Sequence, residues 1–157
     1  MSPPGCDGLR AGLEELREAS YVLRSPGLLG TLGLARIGQV AEGLMAIDDA
    51  LAQCERTDER WNMAELLRVK GELLLREGAP EAKVAAEHHY QLGLEWARRQ
   101  GALFWELRCA TSLTRLWRDQ ARNDEARQLL VPVYDRFTEG FATADLKAAK
   151  ALLDDLS

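Results

Sequence analysis

Apolar residues along this chain recur every three or four positions, and runs of alternating β-branched residues are nearly absent. That spacing places them on one face of a helix and predicts helices throughout. Trp61, Ala64, Leu67, Gly71, Leu74 and Gly78 trace one such face. The set displaced by 43 residues (Phe104, Leu107, Ala110, Thr114, Trp117 and Ala121) matches it in size and polarity, with small residues at the same places. Displaced by 40 toward the N-terminus, Tyr21, Arg24, Gly27, Thr31, Leu34 and Gly38 make a poorer copy.

The intervening helices repeat as well. Gly43, Ile47, Ala50, Leu51 and Cys54 map onto Ala86, Tyr90, Gly93, Leu94 and Ala97, and then onto Ala126, Leu130, Val133, Tyr134 and Phe137. A helix-turn-helix unit with a period of 40 to 43 residues implies a solenoid, in which each unit buries its apolar face by stacking on its neighbours. The small residues have a packing task. Gly71 and Thr114 on first helices, and Gly43, Ala86 and Ala126 on second helices, let axes approach while Leu74, Trp117, Tyr90 and Leu130 fill the grooves.

Turn chemistry agrees with this register. Gly38 and Gly78 suit the left-handed position that ends a first helix, whereas Ala121 at the equivalent place predicts strain or a different ending. Pro80 is placed to begin a helix, and Asn123 to cap one, with Asp124 and Glu125 at its positive end. In the first unit, Pro26 with Gly27, Gly30, Gly33 and Gly38 predicts a short, loosely held helix. Near the C-terminus Tyr134 and Phe137 continue the packing face, Phe141 is expected to fold back under the Gly140 turn, and Thr143 to cap a last helix. Leu146, Ala149, Leu152, Leu153 and Leu156 give that helix one apolar stripe, as a terminal cover requires.

The reading is therefore an all-α chain with one domain over residues 1–157: an imperfect unit 9–57, a unit 58–100, a unit 102–138 and a capping helix 143–156. Four stretches, "GQVAEGLMAIDDALAQCERTDERW", "AELLRVKGELLL", "WARRQGALFWELRCATSLTRLWRDQ" and "PVYDRFTEGFATADLKAAKALLDDL", resemble tetratricopeptide repeats of the long-helix kind. They are similar to the C-terminal tetratricopeptide region of bacterial multidomain signalling ATPases and cyclase-type regulators. The resemblance runs from about Gly27 to Leu156, with the last stretch its most specific part. It implies a right-handed superhelix of about three hairpins plus the capping helix, acting as a non-catalytic protein-interaction, scaffolding or sensing module. The first 25 residues fit the repeat poorly, as expected of a chain beginning inside a longer array.

In such repeats the first helix of each hairpin lines a concave groove. Carried through the register, that groove holds Glu65, Arg68, Val69, Glu72 and Arg76, and then Arg108, Thr111, Ser112, Arg115 and Arg118. Arginine pairs bidentately with carboxylates, so an acidic or C-terminal peptide is the expected partner. The alternative is that these arginines pair with nearby glutamates on a solvated face. Self-association through the incomplete first unit, giving a homodimer, is the second expected mode of partnership.

Composition narrows the remaining classes. The formal charge of −5 argues against a nucleic-acid partner, which needs an excess of Lys and Arg. The longest apolar stretch, "GLLGTLGLA", is far too short to span a bilayer, and "MSPPGCDGLR" is no basic-then-apolar leader, so a cytoplasmic protein is expected. Cys6, Cys54 and Cys109, separated by 48 and 55 residues, suit reduced thiols. No cofactor and no metal is expected. "GLLGTLG" is not a dinucleotide loop, and adjacent His88 and His89 diverge by about 100° on a helix, which favours surface residues over a chelate. Asp48-Asp49 and Asp154-Asp155 read as solvated faces rather than as catalytic acids. Trp61 and Trp117 are expected in the core, while Trp96 and Trp105 fall off the register, one of them available for contacts.

Overall fold

A computed structural model describes residues 39–57 and 60–157. Every regular element among them is a helix. In chain order these are α1 (Val40–Thr57), α2 (Met63–Glu77), α3 (Ala82–Gln100), α4 (Leu103–Arg118), α5 (Asn123–Tyr134) and α6 (Ala144–Asp155). The expectations for Cys6, for the glycine-rich part of the first unit and for the Gly38 cap lie outside the described residues.

Each helix packs on the next, α5 and α6 being joined through a longer turn; in addition α2 packs on α4, and α4 on α6. The repeat register accounts for what lies at these contacts. Ala64, Leu67 and Gly71 are buried on α2, and their counterparts Leu107, Ala110 and Thr114 are buried on α4. On the other helices Gly43, Ile47 and Cys54 are buried, as are Ala86, Tyr90, Gly93, Leu94 and Ala97, and then Ala126, Leu130 and Val133.

Two close approaches set the α2–α3–α4 spacing. A Cβ at Gly71 would lie 2.6 Å from the Tyr90 ring, and Tyr90 is among the largest fully buried side chains. A Cβ at Gly93 would meet the Cys109 sulfur at 2.9 Å and the Ala64 carbonyl oxygen at 3.0 Å. The first contact pins a ring into the gap left by a missing side chain. The second holds α3 against the α2 backbone itself.

The buried apolar residues form two clusters. The larger joins α2 through α6 and includes Tyr90, Leu94, Trp105, Leu107, Leu113, Leu130, Leu146 and Leu152. The smaller ties α1 to α2 through Ile47, Cys54, Met63, Leu66, Val69 and Leu73. Trp96 on α3 packs against both. The stripe on α6 behaves as its spacing requires, with Leu146, Ala149, Leu152 and Leu156 buried and Leu153 packed against the larger cluster.

Local expectations meet the structure unevenly. Gly78 ends α2 with φ 74°, and its N–H donates to the Leu74 carbonyl. Ala121 also takes a left-handed φ, of 60°, while the Arg122 N–H donates to the Trp117 carbonyl at 2.8 Å. The strain expected of an alanine there is present. Thr143 precedes α6 in extended conformation. Asn123 is instead the first residue of α5, with Arg122 in the cap position, and α3 begins at Ala82, two residues beyond Pro80. Pro132 lies in the last turn of α5, where it removes only the bond to the Gln128 carbonyl, at a position exposed to solvent.

The tryptophans need correction. Trp61 is 40% exposed because α2 starts two residues later, so the helical face does not extend back to it. Trp105 is buried to 7% because α4 contacts α2, α3, α5 and α6 and is enclosed around most of its circumference. Trp117 is partly buried against the larger cluster, in line with its register. Phe141 does not tuck under the turn: it is 46% exposed, its ring 5.9 Å from that of Tyr134.

Left-handed backbone costs an L-residue about 1–2 kcal/mol that glycine does not bear. Ala121→Gly is therefore expected to stabilise the fold by about 1 kcal/mol, read as a higher urea midpoint. Gly93→Ala should lower stability by about 1–3 kcal/mol, because its Cβ must push apart backbone and a buried sulfur. Equal midpoints for the two variants would contradict this account of the turn and the packing.

Candidate functional site

The stretch "AELLRVKGELLLRE" places Glu65, Arg68, Glu72 and Arg76 at three- and four-residue spacings along α2. Such spacing stacks them one above another on the helix surface. On α4, Arg108, Thr111, Ser112 and Arg115 form the corresponding row. Because α2 and α4 pack directly, the two rows meet.

Arg68 is the centre of what forms there. It is 7% exposed, and its Nε and Nη2 donate to the two carboxylate oxygens of Glu65, each at 2.8 Å. Its Nη1 donates to Glu72 and lies 3.4 Å from the Ser112 hydroxyl, which in turn lies 3.4 Å from Glu72 Oε1. Glu65, only 1% exposed, accepts a second arginine: Arg108 Nη1 is 2.9 Å from its Oε1. Arg108 Nε is also 3.6 Å from Asp145 Oδ1 on α6. The result is an alternating line of charge, Glu72–Arg68–Glu65–Arg108–Asp145, that crosses three helices.

Burial of a guanidinium disfavours its charge, yet Glu65 and Glu72 outweigh that penalty and hold Arg68 well above its ordinary pKa. Beside this line sits the Cys109 thiol, pushed up to about 12 by burial and then by the negative charge of Glu65. Its sulfur lies 3.5 Å from the Ala64 carbonyl oxygen, and a thiol so protonated is no nucleophile.

Of the ten residues expected to line a groove, Glu65, Arg68, Glu72, Arg108 and Ser112 thus come together, largely buried and engaged with one another. Val69 is buried in the α1–α2 cluster, and the Thr111 hydroxyl donates to the Leu107 carbonyl at 2.8 Å. Arg76 and Arg115 are exposed. Arg118 lies farther along α4, 3.1 Å from Asp119 and 3.3 Å from Asp155.

Other charged residues join the elements without having been singled out by the register. Buried Glu106 accepts from Arg98 at 2.9 Å and from Arg136 at 2.6 Å, linking α4 to the C-terminal ends of α3 and α5. Glu87 accepts from the Trp117 indole at 2.8 Å and from Arg122 at 3.0 Å, while the Arg122 guanidinium lies 4.6 Å over the Trp117 ring. Hydrogen bonds that Arg122 donates to Glu125 and Glu87 raise it above its ordinary pKa, and Glu125 is lowered in return. The sequence carries a signal for the Glu65–Arg108 contact instead. Glu65 and Arg108 are equivalent under the 43-residue displacement, and equivalent positions on stacked helices face each other.

Among the described residues no group of three or more His, Cys, Asp or Glu is arranged to hold a metal, and no helix is long and apolar enough to cross a membrane. Comparison of the chain with family models, with curated proteins and with solved structures gave no match.

The line of charge is expected to behave as one unit. Removing the charge of Glu65 leaves buried Arg68 with Glu72 alone and Arg108 with Asp145 alone, and breaking a buried pair costs on the order of 3 kcal/mol. Glu65→Gln should therefore lower the urea midpoint sharply. Arg118→Gln, whose partners are solvated, should change stability by less than about 1 kcal/mol. Similar midpoints in both variants would mean that Glu65 is dispensable.

Proposed function

We propose that the chain is a non-catalytic protein-interaction module built as a tetratricopeptide-like stack: three hairpins in a right-handed superhelix, closed by α6. The observation that carries this reading is the agreement of packing with register. The apolar stripes of successive hairpins are buried at matching positions, Ala64, Leu67 and Gly71 with Leu107, Ala110 and Thr114, and Gly43 and Ile47 with Ala86 and Tyr90 and with Ala126 and Leu130, and α2, α4 and α6 contact one another in sequence as well as their hairpin partners. Stacked first helices of that kind offer a continuous surface to an extended peptide, which is what repeat arrays of this type use for recognition.

The expected partner is an acidic peptide or the free carboxylate of a C-terminus. Five of the ten groove residues are buried, so they serve the groove by fixing its floor. The arginines that present themselves to solvent on these helices are Arg76 and Arg115. Their guanidinium groups suit carboxylates because each forms two parallel hydrogen bonds. A signalling regulator in the cytoplasm is the setting this reading fits.

The test is fluorescence anisotropy with a panel of labelled acidic peptides carrying free or amidated C-termini. Binding to the wild-type chain should weaken by about tenfold or more in Arg76→Glu/Arg115→Glu, a loss of roughly 1.4 kcal/mol. Arg127→Glu, an exposed arginine on α5, should bind as the wild type does. Failure of every peptide to bind, or equal weakening by Arg127→Glu, would sink the reading. Arg68 is unsuited to this test, since reversing its charge would disrupt α2 and α4 rather than the surface.

A further inference from the structure

The second helix of a hairpin lies between two first helices. Thus α3 packs on α2, the first helix of its own hairpin, and on α4, that of the next, and α5 packs likewise on α4 and α6. The first described helix, α1, packs on α2 as the next first helix, and no described element precedes it to serve as its own.

The α3 residues that receive α2 show what α1 requires. A Cβ at Gly93 would lie 3.7 Å from that of Leu67, and the Tyr90 ring fills the space over Gly71. In the repeat register Gly93 and Tyr90 correspond to Ala50 and Ile47 of α1. Gly93 is buried, whereas Ala50 is only half-buried. A helix that sets a large apolar residue against Ala50 and a small one against Ile47 completes the packing of α1.

Residues 13–24, "LEELREASYVLR", carry that pattern. They lie outside the described residues, on the stretch of chain that leads into α1 at Val40. At a displacement of 51 they copy α2: Glu14, Leu16, Arg17, Ser20, Val22 and Leu23 stand for Glu65, Leu67, Arg68, Gly71, Leu73 and Leu74. No proline interrupts them, and Pro26 follows as a stop. The poorer copy, displaced by 40, instead sets Pro26, Gly27, Gly30 and Gly33 inside the helix. Two mismatches have a physical reason. On α2, Leu66 and Val69 pack in the cluster shared with α1, which belongs to the preceding hairpin. Their counterparts are Glu15 and Glu18, and a first hairpin has no predecessor to cover apolar residues there.

We propose that residues 13–24 form the first helix of the first hairpin, docked on α1 with Leu16 against Ala50 and Ser20 against Ile47. Residues 25–39 are then an enlarged connection, in which Pro26, Gly27, Gly30, Gly33 and Gly38 break no helix. The occupant comes from the same chain rather than from a second copy. A short flexible connection holds the helix at an effective concentration in the millimolar range, well above that of a second copy in a micromolar solution. The N-terminal end of the stack is closed by its own chain, as α6 closes the other end, and no open first unit is left for two copies to share. This docking rests on the hairpin reading of the chain but not on the peptide proposed for its groove, so either can fail while the other stands.

The register sets the test. In a background of Cys6→Ala and Cys54→Ala, Leu16→Cys/Ala50→Cys should form an intramolecular disulfide under mild copper–phenanthroline oxidation, since Cβ atoms about 3.5–4.5 Å apart suit the bond. Gly27→Cys/Ala50→Cys, the pair expected of the copy displaced by 40, should form it at least about tenfold more slowly. Both variants share Ala50→Cys, so damage to α1 would affect them alike. A second readout needs no disulfide. The single thiol at position 50 should react with a maleimide severalfold faster when Leu16→Asp is added, and no faster with Gly27→Asp. Absence of the disulfide from position 16, an intermolecular bond in its place, equal rates from position 27, or a maleimide rate unmoved by Leu16→Asp overturns the proposal.

Discussion

The arrangement of α2, α3 and α4 depends on two absent side chains. Gly71 admits the ring of Tyr90, and Gly93 lets α3 reach both the Ala64 carbonyl and the Cys109 sulfur. Helices separated by ordinary side chains pack about 8–10 Å apart, and their polar rows need not meet. Close approach at Gly71 and Gly93 brings α3 against both first helices, and that in turn lets the rows on α2 and α4 face each other. The Arg68–Glu65–Arg108 contacts are a consequence of this spacing. A buried ion pair is weak as a source of stability, but once the packing has desolvated one charge, its partners become indispensable.

How much of this was legible in the sequence differs between backbone and charge. The apolar register carried the helices, the matching burial of Leu67 and Ala110 or of Ile47, Tyr90 and Leu130, and the stripe of α6. Periodicity reports which face is buried, so these positions follow directly. It reports poorly where a helix begins. The apolar period runs back to Trp61, although α2 starts only at Met63, and Asn123 has a capping side chain, although Arg122 occupies the cap. Nor does a single stripe describe a helix with four neighbours. Trp105, off the register, is buried because α4 has little surface left to expose.

For the polar positions the guide is a resemblance in which first helices line a groove. That resemblance implies ten residues on the lining, and the chain buries five of them, Glu65, Arg68, Val69, Thr111 and Ser112. Charge alone does not tell a solvated row from an internal one, because both need arginine and glutamate at three- and four-residue spacing. The distinguishing information lies between repeats. Glu65 and Arg108 carry opposite charges at one register position, and two rows that satisfy each other across a stack have no need of solvent. Glu72 has Arg115 as its counterpart in the same register, yet it is Arg68 that engages Glu72, and Arg115 is left exposed. Complementarity is thus complete at one end of the row and incomplete at the other. An arginine whose register partner is already taken keeps its donors for another carboxylate, and on this face that arginine is Arg115.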